Sequence, residues 1–331
     1  GRAVAAGTAI RIMTGAPVPA GADAVVPFEE TSEAREPAAA AAESVRIYVA
    51  PSAGANVRPA GEDMARGDLV LAAGTLVTPG AVGVLATVGA AVVAVHRRPR
   101  VAILATGDEL VEVDQTPGPG QIRNSNGYAN AAQVLAAGGE PLLLPIVRDS
   151  ESALLRAIDQ GLAAGADLFL TSGGVSVGDY DVVRLVLERE GRLGFWRVNM
   201  RPGKPLAFGD LRGVPLIGLP GNPVSAMVCF EVFARPALLK MQGRAAILRP
   251  AVPARYWGAP LRAADRRQYL RAVVRAGAAG YEAALTGSQG SGLVSSMARA
   301  NALLIVPEGG PDVAPDAEVS VLLLDEPLAE A

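Results

Sequence analysis

Three carboxylates follow segments of this sequence that have the composition of buried strands. Glu109 follows the apolar run VAILA, Asp149 follows LLLPIV, and Asp181 lies in the Gly-rich stretch after DLFL. The carboxyl ends of strands in an open α/β sheet meet at one edge, where ligands bind. Carboxylate oxygens are hard ligands that suit Mg²⁺ bridging phosphate groups. Each carboxylate alone is more simply a cap or a solvated loop residue, but their shared placement predicts a magnesium and phosphate site.

Two Gly-rich turns follow predicted strands in the same way. Ser172, Gly173 and Gly174 come after one strand, and Pro220, Gly221, Asn222 and Pro223 come after another and lead into a helix. Consecutive backbone N–H groups in such turns can hold a phosphate, above all beside a helix N-terminus. A single turn of this kind is more often a packing feature, so the prediction depends on the carboxylates nearby.

Two cations are held in the turn Arg201-Pro-Gly-Lys204-Pro, between two predicted strands. A rigid turn with two positive side chains can bind a phosphate or another oxyanion. An exposed basic turn without a ligand is an equally good interpretation of these five residues alone.

Several other kinds of site are excluded. The chain has one Cys (Cys229) and one His (His96), which leaves neither an internal disulfide nor a Cys/His zinc site. We interpret Cys229 as a small core residue and His96 as structural or solvated. The sequence contains no G-x-x-x-x-G-K-[ST] motif and no strand–GxGxxG–helix fingerprint. Ser172 and Ser176 have no plausible His partner for a catalytic triad.

The elements that must position these residues follow from the periodicity of the apolar residues. Short apolar runs ended by turns alternate with helical patterns from Arg100 to about Met241. This alternation predicts a doubly wound, mainly parallel sheet with right-handed crossovers. The predicted elements are, in chain order, VAILATG, a helix over 127–137, PLLLPIV, a helix over 151–164, a strand over 167–171, a helix over 182–190, FWRV, LAFG, VPLIGL and a helix opened by LPGNPVSA.

The segments on either side of this α/β part have a different pattern of apolar, Pro and Gly residues. Pro and Gly interrupt short apolar runs near the start of the chain, and a short helix is predicted over 81–88. After Gly243, short strands with Gly turns predict a small β-barrel or sandwich without a long helix. Those strands are predicted over 250–270, 285–294, 302–306 and 318–324. The predicted domains are a partial β-rich domain 1–50, part of an elongated dimerisation or linker domain 51–96, an α/β domain 97–245 and a barrel-like domain 246–331.

Composition narrows the class of protein further. The 331 residues are 50% hydrophobic, so wholesale disorder is excluded, and no apolar run approaches a membrane span. A net charge of −3 argues against a nucleic-acid surface. Without a signal peptide, the cytoplasm is the expected location. We also expect the natural N-terminus to be missing, since the sequence does not begin with Met.

Five motifs, in this order, resemble those of the molybdopterin molybdenumtransferases, the MoeA family, which is also found as the gephyrin E-domain. They are IRIMTGAPVPAGADAVV, ATGDEL, TSGGVSVGDYD, RPGKPLAFG and LPGNPVSA. The resemblance runs from about Thr8 to Val306. It implies an α/β domain of the molybdopterin-binding type, N-terminal mixed or β domains, and a C-terminal small β-barrel. The family also has an N-terminal segment that contains an essential Asp, and we expect this segment to be missing from the sequence.

The resemblance also implies an activity and a set of site residues. Such enzymes transfer molybdenum from molybdate to adenylylated molybdopterin and release AMP with Mg²⁺, in molybdenum cofactor biosynthesis. By motif, Glu109, Asp149 and Asp181 would organise Mg²⁺ and the reacting groups. The residues that would hold pterin, phosphate or molybdate are Ser172, Gly173, Gly174, Arg201, Lys204, Pro220, Gly221, Asn222, Pro223, Arg271 and Ser291.

The same resemblance implies partners and leaves two alternatives. Thr14 resembles a residue that enters the site from the other subunit of an elongated homodimer, and a molybdopterin adenylyltransferase is a candidate partner. Residues 97–245 resemble that adenylyltransferase too, which makes adenylyl transfer from ATP the first alternative. A non-enzymatic scaffold like gephyrin is the second.

Overall fold

The computed structural model describes residues 3–36, 44–173 and 182–328. The chain forms two compact units. One comprises Gly1–Ala73 and Pro79–Val84, and the other Gly74–Thr78 and Leu85–Ala331. In the described part of the chain, no helix is long and apolar enough to cross a membrane.

A six-stranded sheet forms the centre of the larger unit. The first nine strands are β1 Arg100–Ala105, β2 Leu110–Val111, β3 Ile122–Arg123, β4 Glu140–Leu143, β5 Leu168–Ser172, β6 Gly191–Arg197, β7 Met200–Arg201, β8 Pro205–Leu211 and β9 Val214–Leu219. The strand order is β4-β1-β5-β9-β8-β6. Strands β4, β1, β5 and β9 are parallel, and β8 and β6 add antiparallel pairing at one edge. The predicted mainly parallel sheet is therefore confirmed.

Helices cover both faces of this sheet. They are α3 Ser125–Ala136, α4 Glu151–Ala163, α5 Val182–Glu190, α6 Pro223–Cys229 and α7 Arg235–Met241, with a wide helical turn Phe230–Ala234 joining the last two. Alternate residues of the buried strands face opposite ways, so Ile103 packs with α3, α6 and α7 while Leu104 packs with α4 and α5. Two apolar cores result, one on each face.

Side-chain caps define where two of these helices begin. The Asn124 side chain accepts a hydrogen bond from the Gly127 backbone N–H (2.9 Å), and Ser150 accepts one from Ala153 (3.4 Å). The α4 cap follows β4 at the carboxyl edge of the sheet, whereas the α3 cap follows β3, which pairs with β2 outside this sheet. Capping therefore also fixes the loops that carry the candidate site.

The C-terminal part is a closed five-stranded barrel, as predicted. Its strands are β10 Ala251–Tyr256, β11 Arg267–Gly277, β12 Gly280–Leu285, β13 Ala302–Val306 and β14 Glu318–Leu323, with a short helix α8 Ser295–Arg299. Pairing runs β12-β10-β14-β13-β11, and β11 pairs again with β12 to close the barrel. The short strand β7 adds to β11 in parallel, which joins the barrel to the sheet.

One predicted strand of the barrel is wrong. Residues 286–294 form a loop, and the strand precedes it as β12. The loop contains three glycines and two serines, which disfavour a strand and favour turns.

The N-terminal unit departs from the predicted short strands. Its described residues contain turns, a short helix Phe28–Glu30, a helix α1 Ser32–Arg35 and an isolated bridge between Thr31 and Ile47, with no strand of their own. Pro17 and Pro19 lack a backbone N–H for a ladder, and Gly15 and Gly21 turn the chain with positive φ. The helix predicted over 81–88 is present as α2 Pro79–Thr87.

Candidate functional site

The loops that carry Glu109 and Asp149 are joined to each other at the carboxyl edge of the sheet. Beyond β1, Thr106 bridges Val147 in parallel, and the Gly107 N–H donates to the Val147 carbonyl (3.1 Å). The Asp108 carboxylate accepts from the Asp149 backbone N–H (3.2 Å). These bonds hold the two loops together, as their common position after parallel strands predicts.

Arg148 strengthens the same connection from the other loop. Its Nη1 donates to the backbone carbonyls of Asp108 (2.7 Å) and Leu110 (3.2 Å). The Arg148 side chain therefore stabilises the loop that contains Glu109, and the Glu109 side chain stays exposed.

Gly107 is required by the way Glu109 folds back over it. Gly107 has φ +147°, and a Cβ at this position would overlap the Glu109 carboxylate. The Ile122 N–H donates to the Glu109 carbonyl (2.8 Å), which fixes the backbone of this residue against β3. A side chain at position 107 would therefore displace Glu109.

The two Gly-rich turns that are predicted to hold a phosphate lie beside this loop. Ser172 pairs with Ala105 on one side and Leu219 on the other, and the Gly173 N–H donates to the Leu219 carbonyl (3.2 Å). A Cβ on Gly173 would lie 3.1 Å from Thr106 Oγ1, and one on Gly221 would lie 3.9 Å from the Gly173 Cα. The loops after β1, β5 and β9 therefore converge. Gly174 and Asp181 lie outside the described residues.

Helix α3 and the barrel both reach the turn after β9. The Asn126 side chain donates to the Gly221 carbonyl (2.7 Å). The Val224 N–H, in the first turn of α6, donates to the Ser291 carbonyl (3.1 Å). Through this bond the barrel loop that contains Ser291 is attached to the Pro220–Pro223 turn.

The basic turn lies between α6 and the barrel. Met200 and Arg201 pair with Arg267 and Gln268 of β11. The peptide bond that follows Arg201 is cis. A Cβ on Gly203 would overlap Cys229 Sγ, so the turn lies directly on α6. Arg201 and Lys204 are both exposed.

Cys229 is buried beneath this turn, in agreement with its interpretation as a core residue. Burial raises the pKa of the thiol to about 12, which keeps it protonated at neutral pH. His96 is exposed, and its ring lies against Gly243.

Arg271 of β11 is fully buried in the barrel wall. Its Nε donates to Ser296 Oγ (3.0 Å), and its Nη2 donates to the carbonyls of Gly290 (3.0 Å) and Ser288 (3.5 Å). Its Nη1 is buried without a hydrogen-bond partner. No carboxylate of the described residues pairs with it, and burial lowers the pKa of the guanidinium. A buried cation with a spare N–H group is suited to an anion.

Two predicted features are not established by this geometry. Thr14 lies in an exposed turn of the N-terminal unit, closed by the Ala16 N–H on the Met13 carbonyl (3.0 Å), so its role in a partner's site stays a prediction. Within the described ranges, no group of three or more His, Cys, Asp or Glu residues could hold a metal ion. The third predicted ligand, Asp181, lies outside those ranges, so the magnesium site also stays a prediction.

Sequence reasoning missed the residues that hold the site together. Asp108 stands beside the predicted ligand Glu109 in ATGDEL, and Asn126 lies two residues after the helix cap Asn124. Gln289 lies two residues before Ser291, which the resemblance indicated, whereas Ser296 had no signal of this kind, since its importance depends on the contact with Arg271.

Three family models match the chain in succession. Residues 1–89 match the MoeA N-terminal region (domain I and II), residues 102–240 match a probable molybdopterin binding domain, and residues 259–324 match the MoeA C-terminal region (domain IV).

Curated relatives have similar sequences. Molybdopterin molybdenumtransferase 1 of Mycobacterium tuberculosis is 37% identical over 323 residues, which is 96% of this chain and 74% of the relative. The molybdopterin molybdenumtransferase of Haemophilus influenzae is 39% identical over 237 residues, which is 72% of this chain and 57% of the relative.

Solved structures of similar proteins agree with these family matches. The molybdopterin biosynthesis moeA protein of Pyrococcus horikoshii OT3 superimposes with a TM-score of 0.78 at 27% identity, covering 97% of this chain and 77% of that one. A molybdenum cofactor biosynthesis protein of Pyrococcus furiosus gives a TM-score of 0.62 at 27% identity, covering 80% of this chain and 82% of that one.

Proposed function

The chain belongs to the molybdopterin molybdenumtransferase (MoeA) family, and we propose from this premise that it transfers molybdenum from molybdate to adenylylated molybdopterin and releases AMP with Mg²⁺. One observation carries the proposal beyond the family. The convergent strand-end loops of the sheet are hydrogen-bonded, through Val224 and Ser291, to the barrel loop above the buried Arg271. This contact supports the proposal, because it would place a phosphoanhydride site next to an oxyanion site.

The carboxylates are assigned to the phosphoanhydride. Glu109, Asp149 and Asp181 would hold Mg²⁺, because carboxylate oxygens are its preferred protein ligands. When bound, Mg²⁺ neutralises charge on the phosphates and polarises the bond that is cleaved. The braced loops after β1 and β4 support this assignment, since Asp108 and Arg148 fix the backbones of both carboxylates.

The cations and backbone donors are assigned to the anionic substrates. Arg201, Lys204 and Arg271 would bind molybdate or the phosphates, with Ser291 beside them. The turns at Ser172–Gly174 and Pro220–Pro223 would hold pterin or phosphate through N–H groups. The thiolates that finally bind molybdenum belong to the substrate, which agrees with a protein that has one buried Cys.

Domain content favours this reaction over adenylyl transfer from ATP. The molybdopterin binding domain model accounts for residues 102–240 alone, whereas the matches on either side of it are to regions of MoeA. An adenylyltransferase would need the α/β part, and it would leave the barrel arginine without a role.

The proposal includes a homodimer in the cytoplasm, with Thr14 entering the partner's site. An apolar helix supports the dimer, because α2 is made of small apolar residues and only Ala81 of it is buried. A molybdopterin adenylyltransferase, which would supply the adenylylated substrate, is the proposed partner enzyme.

AMP release tests the proposal. Purified full-length protein is incubated with adenylylated molybdopterin, and AMP is measured by chromatography with and without molybdate and Mg²⁺. We expect release that requires both ions. Absence of AMP at every molybdate and Mg²⁺ concentration, or ATP consumption with molybdopterin instead, would contradict it.

A further inference from the structure

The guanidinium of Arg271 is held entirely by neutral groups. Nε and Nη2 are taken by the Ser296 hydroxyl and by two carbonyls of the loop 287–291, and Nη1 remains. Neutral acceptors fix the direction of the side chain without neutralising its charge. The charge therefore remains uncancelled, whereas a carboxylate partner would have cancelled it.

Ser296 determines where the guanidinium points. Its hydroxyl is fully buried and donates to the Leu293 carbonyl (2.6 Å), so its proton is directed away from Arg271. The oxygen can then only accept from Nε, at 3.0 Å. An arginine side chain has several rotatable bonds, and this hydrogen bond restricts their rotation and so orients the guanidinium.

Gln289 attaches the Ser291 loop to the backbone of Arg271. Its Oε1 accepts from the Arg271 N–H (2.8 Å), and its Nε2 donates to the Arg271 carbonyl (3.2 Å) and to the Gly287 carbonyl (3.0 Å). The side chain adds to the backbone bonds at the position where β12 has ended, since that pairing begins at Ala272 and the Thr286 N–H also donates to the Arg271 carbonyl (3.0 Å). The loop is thereby held beside β11.

We propose that Gln289 and Ser296 are positioning residues for the oxyanion site, with Gln289 holding the Ser291 loop beside β11 and Ser296 fixing the Arg271 guanidinium so that Nη1 meets a tetrahedral oxyanion. This inference depends on the proposed function, and of the two anions proposed there for Arg271 it assigns molybdate. Neither residue contacts the anion itself. Their contribution is preorganisation, which lowers the entropy lost when the anion binds.

Calorimetric titration with molybdate alone tests the inference. The proteins compared are the unmodified protein, Gln289→Ala, Ser296→Ala, Arg271→Ala and the control Ser295→Ala, which changes an exposed serine of the same short helix. We expect Gln289→Ala and Ser296→Ala each to raise the molybdate Kd about tenfold, because Ser296→Ala removes a hydrogen bond to the guanidinium and Gln289→Ala releases the loop from the Arg271 backbone. Ser295→Ala should leave the Kd unchanged.

A second measurement separates positioning from folding. In turnover, both variants should raise the KM for molybdate and leave the KM for adenylylated molybdopterin unchanged, a split that a general loss of stability would not produce. If Ser296→Ala does not fold, Gln289→Ala decides alone, because that side chain is only partly buried.

The outcomes distinguish the inference from the function on which it depends. Loss of molybdate binding in Arg271→Ala with an unchanged Kd in the other two variants would overturn the inference and leave the anion site in place. No molybdate binding by the unmodified protein would overturn the anion site and the inference together.

Discussion

Arg271 carries a positive charge into the barrel wall, and no described carboxylate offsets it. A buried ion without a partner of opposite charge is destabilising by several kcal/mol in proteins (about 3–5 kcal/mol when a partner is removed). Three neutral acceptors reduce this penalty without removing it. A bound anion would offset the remaining penalty, because it would bring a negative charge next to the buried guanidinium. The burial of Arg271 without a counter-charge among the described residues therefore favours anion binding there.

Lys204 allows a sharper test of the oxyanion assignment at the level of one residue. Its side chain is exposed, and its structural bond is made by the backbone, where its carbonyl accepts from the Val198 N–H (2.8 Å). Lys204→Ala should therefore raise the molybdate KM about tenfold, with a change in the free energy of unfolding below about 0.5 kcal/mol. Steady-state kinetics over a molybdate series and thermal unfolding measure the two effects.

The other lysine provides the control for this substitution. Lys240 is exposed in the last turn of α7, away from the basic turn in sequence, and Lys240→Ala should leave the molybdate KM unchanged. Equal molybdate KM values for Lys204→Ala and the unmodified protein would remove Lys204 from the anion site.

Among the elements, those with a local signal were predictable and those that depend on distant contacts were not. Helix α5 has the predicted bounds, because an amphipathic pattern follows a Gly-rich stretch. The loop 286–294 was mistaken for a strand, since Leu285, Leu293 and Val294 gave apolar ends to a segment that Gly and Ser dominate. Its shape depends on Gln289 and Arg271, which are 18 residues apart in the chain.

The start of the sheet contains an ion pair that makes stability depend on pH. Arg97 forms a bidentate pair with Asp167, whose Oδ2 also accepts from the Arg100 backbone N–H (2.9 Å), so β1 is held to the start of β5. The hydrogen bond from Arg97 is the largest cause that lowers the pKa of Asp167. A lowered pKa means that the stabilisation is present above the ordinary Asp range and is lost as the pH falls through the folded-state pKa.

Asp167→Asn should remove that stabilisation. We expect a loss of about 1 kcal/mol at pH 7, since the arginine is largely exposed, and a difference from the unmodified protein that shrinks below about pH 4. Urea unfolding at a series of pH values measures it. The exposed pair of Arg192 with Asp210 gives the control Asp210→Asn, which should have a smaller effect. A difference that grows as the pH falls would contradict this account.

At the scale of the whole chain, composition and texture predicted an α/β part and a barrel, but not how they are joined. Arg249 donates to the Glu231 carboxylate (2.9 Å) and to the Leu324 carbonyl (2.7 Å), which connects the helical layer with the residue that follows the last strand of the barrel. No periodicity indicates such a bond, because it joins residues 75 positions apart. The three boundaries between the four predicted domains remain predictions, and the two compact units divide the chain at other positions.

The proposed homodimer can be tested on α2. Val82 in the middle of this helix is 54% exposed, and Val88 just beyond it is 47% exposed. Small apolar residues exposed in a row are typical of a surface that another protein covers. Val82→Glu would place a charge in such an interface, where its desolvation is unfavourable by several kcal/mol. We therefore expect the variant to sediment as a monomer at concentrations at which the unmodified protein is a dimer, and its AMP release to fall if Thr14 acts in the partner's site. The matched control is Leu135→Glu on α3, another exposed apolar residue of a helix, which should leave the dimer intact.

A monomeric unmodified protein with full activity would contradict the shared site, and a dimeric Val82→Glu variant would place the interface elsewhere.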